Sequence, residues 1–387
     1  MKPLESISNP LPYDEQLFTI ALTKIHGLGL QGALTLYKTM GNAADIFNGI
    51  GKLKQRYPTL KQRVLQALDE GATQAIRKAE EELRFCHEHQ IEVMCLNDAI
   101  YPQRLAQCDD APLVLYYKGN TSLNAAHAVS VVGTRRCTEY GREMCHRLTS
   151  ELSRCCPDTL VVSGLAYGID IQAHRGALEA GLPTVAVLAH GLDRIYPYSH
   201  RDTAKAMIGK GGLITEYTTG TSPDKGNFVR RNRIIAALSD ACIIVESAIK
   251  GGAIITARLA FDYNRQVFAC PGRISDKYSE GCNMLIRNNT ATPFLSATDM
   301  ATELGWITEE KRRQSLTQGI QTDLFPQLSA EERILADLIR PTDGMQVNLI
   351  AQQSGLPIHQ ATALLFEMEM KGIVRLLPGS VYKLTNA

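Results

Sequence analysis

Short apolar runs alternate with longer segments of helical periodicity through the middle of the chain. The helical segments, for example residues 140–152, 170–180 and 253–264, carry apolar residues on one face. This alternation is typical of a doubly wound parallel sheet, so the sequence predicts an α/β fold with a Rossmann-like core over residues 111–300. Ligands of such sheets bind beyond the carboxyl ends of the strands. The apolar runs predicted as strands are 129–132, 160–163, 184–188, 212–216, 242–246 and 266–269.

Residues 13 to about 90 read as helical, and a glycine turn from Ile25 to Gly29 separates two segments with apolar periodicity. The arrangement resembles a SAM-like or helix-hairpin-helix-like domain, in which backbone amides of the turn can meet a nucleic-acid phosphate. An ordinary turn between the helices of a bundle explains the same residues equally well. The sequence therefore predicts an N-terminal helical domain over residues 1–110 and leaves the role of its turn open.

A polar, irregular stretch follows the core and is predicted to be a linker, residues 301–328. Ser329 to Glu332 then has the pattern of a capping box, which opens a helix. Two further helices, and two apolar segments separated by a Pro-Gly turn, complete the pattern of a winged-helix domain over residues 329–387. Because the third helix carries few cations, we expect this domain to contact protein rather than to read DNA sequence.

The 387-residue chain is nearly neutral, with 41 Lys and Arg against 40 Asp and Glu, so charge that binds a ligand must be concentrated locally. Its longest apolar runs fall far short of the roughly 20 residues that span a bilayer, and no signal-peptide core follows Met1. We therefore expect a cytoplasmic protein without a membrane span. None of the ten cysteines forms a Cys-x-x-Cys pair and the carboxylates do not cluster, so no metal, disulfide framework or cofactor is expected.

Positive charge is concentrated in residues 225–239. Four cations and a phenylalanine precede an apolar helical face there, which ties the charges to a helix N-terminus, a position that attracts anions. Most charge runs are solvated helix faces, yet this combination suits a nucleic-acid strand, with phosphates on the cations and an unpaired base on the ring. We expect the side chains of Arg135 and Arg233 to face solvent at the sheet edge. The residues of this segment predicted to contact DNA are Lys225, Phe228, Arg230, Arg231 and Arg233.

Two glycine-containing turns follow the first and second predicted strands, at Gly133-Thr-Arg135 and at Ser163-Gly-Leu-Ala-Tyr-Gly168. Glycines let the backbone approach a phosphate closely, so two such turns at one sheet edge predict a phosphate cradle. A third segment after a later strand adds Lys250 and Thr256 to the same rim. These turns lack the Gly-x-Gly-x-x-Gly spacing and the chain has no Walker motif, so a dinucleotide or NTPase site is not supported.

Asp170, His174 and His190 could be drawn as an acid–base set. Asp170 lies at a predicted helix start, where a carboxylate caps backbone amides, and His174 lies one turn further on. Structural roles therefore explain both residues, and no nucleophile elbow surrounds Ser163. The sequence predicts a binding protein without catalytic residues.

Taken together, these motifs resemble the DNA-processing protein A family, also called DprA or Smf, over residues 111–297. The resemblance implies a homodimer that binds single-stranded DNA, protects incoming DNA and loads the RecA recombinase during natural transformation. It also implies a helical domain before the core and, in many members, a winged helix after it. The segments that carry the resemblance are 132–135, 163–174, 228–235, 252–257, 271–272 and 281–283. The family's phosphate pocket maps onto Gly133, Thr134, Arg135, Ser163 and Gly164, and its strand-binding run onto Lys225, Phe228, Arg231, Asn232 and Arg233.

The alternative is a nucleotide-processing enzyme of the lysine decarboxylase-like phosphoribohydrolase type, since those enzymes share a similar nucleotide-binding core. They carry a Pro-Gly-Gly-x-Gly-Thr-x-x-Glu loop that supplies a catalytic glutamate. This chain has Gly251-Gly252 without the following Gly-Thr-x-x-Glu. An NAD-type oxidoreductase is a third possibility, and it lacks the phosphate fingerprint at the sheet turns.

Overall fold

The computed structural model describes residues 13–50, 53, 60–308 and 329–384, the last range without residues 341, 343, 372 and 378. The chain divides into two compact units, Met1–Ile307 and Thr308–Ala387. Most of the predicted linker, residues 309–328, lies outside the described residues.

Helices form the first part of the larger unit, as the sequence predicts. The turn between the first two uses Gly27 and Gly29, whose φ angles of +83° and +65° lie in the left-handed region that favours glycine. The helices pack around a common core that includes Ile20, Leu34 and Leu68. They are α1 (Tyr13–Lys24), α2 (Gly29–Met40), α3 (Ala43–Asn48) and α4 (Gln62–Glu88).

A nine-stranded sheet follows in the described part of the larger unit. Its strands are β1 (Glu92–Cys95), β2 (Val114–Gly119), β3 (Ala128–Val132), β4 (Leu160–Ser163), β5 (Thr184–Val187), β6 (Gly211–Thr215), β7 (Ala241–Ile244), β8 (Gln266–Ala269) and β9 (Thr292–Pro293). They lie in the order β1-β2-β6-β5-β4-β3-β7-β8-β9. Neighbours from β6 to β9 are parallel, whereas β2 pairs antiparallel with both β1 and β6. The predicted doubly wound parallel core is confirmed.

Helices connect the strands and cover both faces of the sheet. They are α5 (Gln103–Ala106), α6 (Glu139–Cys155), α7 (Ile169–Glu179), α8 (Arg201–Gly209), α9 (Lys225–Ala237), α10 (Gly252–Asp262), α11 (Glu280–Arg287) and α12 (Ala297–Glu303). Successive strand residues point to opposite faces, so Val131 packs with α6, α7 and α12, whereas Val132 packs with α9, α10 and α11. Both layers are apolar and buried, which gives the sheet a core on each side.

The strand order reverses at β3, which lies between β4 and β7. The connection from β3 to β4 leaves in one direction and the strands after β7 continue in the other, so a crevice opens at the carboxyl ends of β3 and β7. The turn that starts at Gly133 follows β3, and the segment that contains Lys250 follows β7. The topology therefore brings two of the predicted rim segments to one point.

The antiparallel strands β1 and β2 were not predicted. Residues 93–95 of β1 and 114–117 of β2 are buried without the alternation that marks a half-exposed strand. Short apolar runs of this kind cannot be distinguished from buried helical segments by periodicity. These strands join the helical region to the sheet, since Val93 and Tyr116 contribute to the core of α1 to α4.

The smaller unit has the predicted winged-helix architecture. Its elements are α13 (Ala330–Ile339), β10 (Met345–Gln346), α14 (Val347–Ser354), α15 (Ile358–Met370), β11 (Val374–Leu377) and β12 (Val381–Leu384), with an antiparallel sheet in the order β10-β12-β11. The capping box is confirmed, because the Ser329 hydroxyl accepts from the Glu332 amide at 3.1 Å and the Glu332 carboxylate accepts from the Ser329 amide at 2.8 Å. The same carboxylate pairs with Lys371 at 2.6 Å, which ties the start of α13 to the end of α15. Across the residues described, we find no helix with the length and apolar character of a membrane span.

Candidate nucleic-acid interface

A cavity of about 710 Å³ lies at the carboxyl ends of β3 and β7. Its walls come mainly from the loop after β3, the first turns of α9 and the segment that runs from β7 into α10. Ala166 and Asp170 after β4 and Tyr196 after β5 complete the lining. This is the position that the strand order favours for a ligand. Eight of the thirteen predicted DNA-binding residues line it: Gly133, Thr134, Arg135, Lys225, Phe228, Arg231, Asn232 and Thr256.

The loop after β3 is held at Thr134 by two backbone hydrogen bonds. The Thr134 amide donates to the Glu246 carbonyl at 2.7 Å, and the Thr134 carbonyl accepts from the Ile169 amide at 3.1 Å. A Cβ at Gly133 would lie 2.4 Å from the Ile169 side chain, so this close approach requires glycine. The loop therefore presents Arg135, which is exposed, from a fixed backbone at the cavity rim.

The start of α9 forms the opposite wall. Asp224 caps the helix by accepting from the Asn227 amide at 2.8 Å, and Lys225 is exposed beside it. Phe228 is half-buried, and the Arg135 guanidinium lies 5.0 Å from its ring centroid. The cation from the loop after β3 thus meets the aromatic ring from α9 at the mouth of the cavity.

Arg231 reaches from α9 to the edge of the sheet, where only 3% of it is exposed. Its Nη1 donates to the Gly164 carbonyl at 2.8 Å and also to the Val187 carbonyl, so it joins the ends of β4 and β5. Its Nε has no hydrogen-bond partner among the described residues. Burial lowers the pKa of Arg231 to about 10, opposed by the nearby Asp170 carboxylate. Arg231 therefore supplies positive charge to the cavity from the edge of the sheet, and it also holds the ends of β4 and β5 together.

The expectation that the Arg233 side chain faces solvent is wrong. Only 7% of Arg233 is exposed, and its guanidinium pairs with Glu216 at 2.5 Å and donates to the Asp110 carbonyl at 2.8 Å. Burial raises the pKa of Glu216, and the Arg233 charge opposes that shift. Arg233 turns inward because the Glu216 carboxylate, at the end of β6, neutralises its charge inside the fold. The Arg233 guanidinium is therefore not available to a phosphate.

Four other predicted residues lie outside the cavity wall. Ser163 is buried and its hydroxyl donates to the Val131 carbonyl at 2.6 Å, so it connects β4 to β3. Gly164 lets the Arg231 side chain approach the backbone closely, because a Cβ at position 164 would lie 2.1 Å from Arg231 Nη1. Arg230 and Lys250 are exposed and extend the positive rim beyond the cavity. Thr256, although it lines the cavity, is only 1% exposed.

Asp170, His174 and His190 are all buried, and Asp170 also lines the cavity. His174 Nδ1 lies 2.7 Å from the Thr184 hydroxyl, which itself donates to the Val161 carbonyl, so His174 donates and is protonated at Nδ1. Burial lowers the pKa of His174 to about 3, with the charges of Arg231 and His200 adding to the shift. Burial also raises the pKa of Asp170. His174 is therefore neutral near pH 7 and locked between β4 and β5.

Sequence reasoning did not single out Glu246 or Tyr196. The buried Glu246 carboxylate accepts from the Thr138 amide at 2.9 Å and from its hydroxyl at 2.6 Å, which fixes the start of α6 beside the cavity. Tyr196 lines the cavity, and its ring centroid lies 5.8 Å from that of Phe228. The available signal for Tyr196 was a loop after a predicted strand in which two tyrosines lie between two arginines.

The loop before α9 is fastened to the helical region. The Thr219 amide donates to both oxygens of Glu82, at 3.0 and 3.1 Å, and the Thr219 hydroxyl donates to the same carboxylate at 2.7 Å. Lys24 also donates to the Thr218 hydroxyl. Helices α1 and α4 therefore hold the segment that leads into Lys225.

Comparison with known families gives two matches. The family model described as DNA recombination-mediator protein A matches residues 92–305, which include the nine strands and the cavity. The model described as DprA winged helix domain matches residues 322–380.

Individual relatives agree with these matches. Protein Smf of Synechocystis sp. is 32% identical over 331 residues, which cover 78% of this chain and 82% of the relative. The X-ray structure of DNA processing protein A from Streptococcus pneumoniae has a TM-score of 0.63 at 30% identity, covering 74% of this chain and 97% of that chain. A structure of DNA processing protein A from Helicobacter pylori, reported for its single-stranded DNA binding mode, has a TM-score of 0.50 at 30% identity, covering 56% and 95%.

Proposed function

Because the chain belongs to the DNA recombination-mediator protein A family, we propose that it binds single-stranded DNA and delivers it to the RecA recombinase. In this role it protects incoming DNA during natural transformation, as a cytoplasmic homodimer. The observation that carries the proposal is the meeting of exposed Arg135 and Lys225 with half-buried Phe228 at the mouth of one cavity. Cations and a ring together suit a strand that offers both phosphates and unpaired bases.

The contacts favour binding without strong sequence preference. Phosphate contacts fix the position of a strand but carry no sequence information, whereas base edges are read by side chains with paired donors and acceptors. Four cationic side chains are exposed at the rim, namely Arg135, Lys225, Arg230 and Lys250. The half-buried Asn232 is the amide that lines the cavity. We therefore expect similar affinity for strands of different sequence.

The same geometry argues for a binding protein over the phosphoribohydrolase alternative. The His174 imidazole is buried between strands and Asp170 is buried beneath the loop after β4, where its carboxylate accepts from the Ala166 amide at 3.4 Å. His174 is not among the residues that line the cavity, and Asp170, which does line it, has its carboxylate engaged by a backbone amide. Between β7 and the first turns of α10, the residues that line the cavity, including Ser247, Gly251 and Thr256, include no carboxylate.

Titration with labelled single- and double-stranded DNA at several salt concentrations tests the proposal. Four exposed rim cations predict a log–log slope of roughly −3 for the single strand, at about −0.7 per phosphate contact. Binding of single strands with this slope, together with no nucleotide hydrolysis, is the expected result. A slope near zero, or turnover of a nucleotide, would overturn it.

A further inference from the structure

Three exposed tyrosines lie beside the cavity, on the loops that follow β4 and β5. Tyr167 is 49% exposed, Tyr196 44% and Tyr198 72%. Both loops leave the carboxyl ends of parallel strands, so they lie along the same edge of the sheet as the loop after β3. Tyrosine rings usually bury most of their apolar area, so three exposed rings in adjacent loops form an unusual surface.

The two loops are fastened to each other. His200 Nδ1 donates to the Leu165 carbonyl at 2.9 Å, which joins the turn after Tyr198 to the loop after β4. The Tyr167 ring packs edge-on against the His200 ring, with centroids 5.0 Å apart. The tyrosines are therefore presented by a braced backbone, which lowers the entropic cost of binding a ligand.

The surface is continuous with the cavity. Tyr196 lines the cavity and its ring lies 5.8 Å from Phe228, while Ala166, next to Tyr167, lines the same wall. An aromatic series therefore runs from the mouth of the cavity toward the ends of β4 and β5.

Cations accompany this aromatic series. The Arg201 guanidinium lies 5.8 Å from the Tyr198 ring and donates to its hydroxyl at 3.3 Å, and Arg135 lies 5.0 Å from the Phe228 ring. Arg201 and Arg135 are both exposed. Rings with cations beside them match a single strand, which offers both unpaired bases and phosphates.

We propose that Tyr167, Tyr196 and Tyr198 form a stacking surface for the unpaired bases of a strand that also occupies the cavity. The inference rests on the proposed function and extends it from a cavity to a track of several nucleotides. A ring face accepts any base, so this surface adds affinity without sequence preference. It also discriminates against double-stranded DNA, in which the base faces are already stacked on each other.

The test compares the full-length protein with two triple variants, Tyr→Ser and Tyr→Phe at positions 167, 196 and 198. Each is titrated with a labelled oligo(dT) and with an abasic strand of equal length and charge. Tyr13→Ser, which changes an exposed tyrosine on α1, is the control. We expect the Ser variant to bind oligo(dT) roughly tenfold or more weakly, while the Phe variant binds as the wild type does. All proteins should bind the abasic strand with similar affinity.

The outcomes separate the inference from the proposed function. If the Ser variant binds oligo(dT) as tightly as the wild type does, the stacking surface is disproved and DNA binding by the cavity stands. Equal losses in the Phe and Ser variants would also disprove stacking, because the rings are kept in one of them. If the wild type binds neither strand, the proposed function fails. Should the triple Ser variant melt early, Tyr198→Ser alone, at the most exposed ring, gives the same comparison with a smaller expected loss.

Discussion

The Arg231 guanidinium donates a 2.8 Å hydrogen bond to the Gly164 carbonyl and fills the space that a side chain at position 164 would need. The two residues are 67 positions apart, on α9 and in the loop after β4. Their contact couples the cationic helix to the sheet edge. The sequence predicts Arg231 as a phosphate contact, and the structure shows that it joins α9 to the loops after β4 and β5.

Gly164→Ala should destabilise the protein and weaken DNA binding together. The new Cβ would lie 2.1 Å from Arg231 Nη1, so the buried guanidinium must move, at about 1–3 kcal/mol of unfolding free energy. Urea melts and DNA titrations measure the two effects. Gly209→Ala is the matched control, since a Cβ there meets no atom within 4 Å. Normal stability in Gly164→Ala would show that the Arg231 contact is easily rearranged.

Arg135→Ala should weaken single-strand binding roughly tenfold, the loss expected for one charge-assisted contact. The log–log salt slope should become shallower by about 0.7. Because Arg135 is exposed on a loop that backbone hydrogen bonds hold, the melting temperature should not change. Arg84→Ala, at an exposed position on α4, controls for the loss of net charge. An equal effect of both substitutions would mean that binding depends on total charge and not on this loop.

Arg233→Ala should act through stability. Removing the guanidinium leaves the Glu216 carboxylate, whose side chain is only 12% exposed, without its partner. Breaking such an ion pair on one side costs about 3–5 kcal/mol of unfolding free energy. Arg230→Ala, at an exposed position of the same helix, should change stability by no more than about 0.5 kcal/mol and weaken DNA binding instead. Urea unfolding and DNA titration of the two variants give opposite patterns if the burial of Arg233 is correct.

Stability should fall with acidification through His174. Its pKa of about 3 in the folded state lies below the ordinary 6.5, so between these values the unfolded chain binds a proton that the folded chain does not. The contribution of neutral His174 to the free energy of unfolding is complete above pH 6.5. It is lost as pH falls toward 3, by about 1.4 kcal/mol per pH unit. Urea unfolding of the wild type and His174→Gln between pH 5 and 8 measures it, and the variant should depend less on pH. Parallel pH profiles would exclude the assignment.

A shortened chain that ends at Ile307 should keep most of its affinity for single-stranded DNA. The boundary falls between the two compact units, and every residue that lines the cavity lies in the first. Affinity should be measured beside the mass in solution, since loss of the winged helix can alter protein contacts. Collapse of affinity in a folded, shortened chain would make the winged helix a principal DNA contact.

The parts of the fold that local patterns encode could be predicted. Alternation of apolar runs with helical segments predicted the parallel core, and the spacing of Ser329 and Glu332 predicted the capping box. The partners of buried charges could not be predicted, because they come from distant segments. Arg233 meets the carbonyl of Asp110, 123 residues away, and nothing near Arg233 in the sequence indicates this contact. The tyrosines were visible in the sequence, but only the sheet order places their loops together.

The bonds between Glu82 and Thr219 make the position of the loop before α9 depend on the helical region. The Thr219 loop leads into the helix that carries Lys225, yet its anchor is a carboxylate 137 residues earlier in the chain. In a chimera joined between α4 and the sheet, Glu82 would come from one parent protein and Thr219 from the other. A chimera that preserves this anchor takes the helices and the loop at residues 218–219 from the same parent.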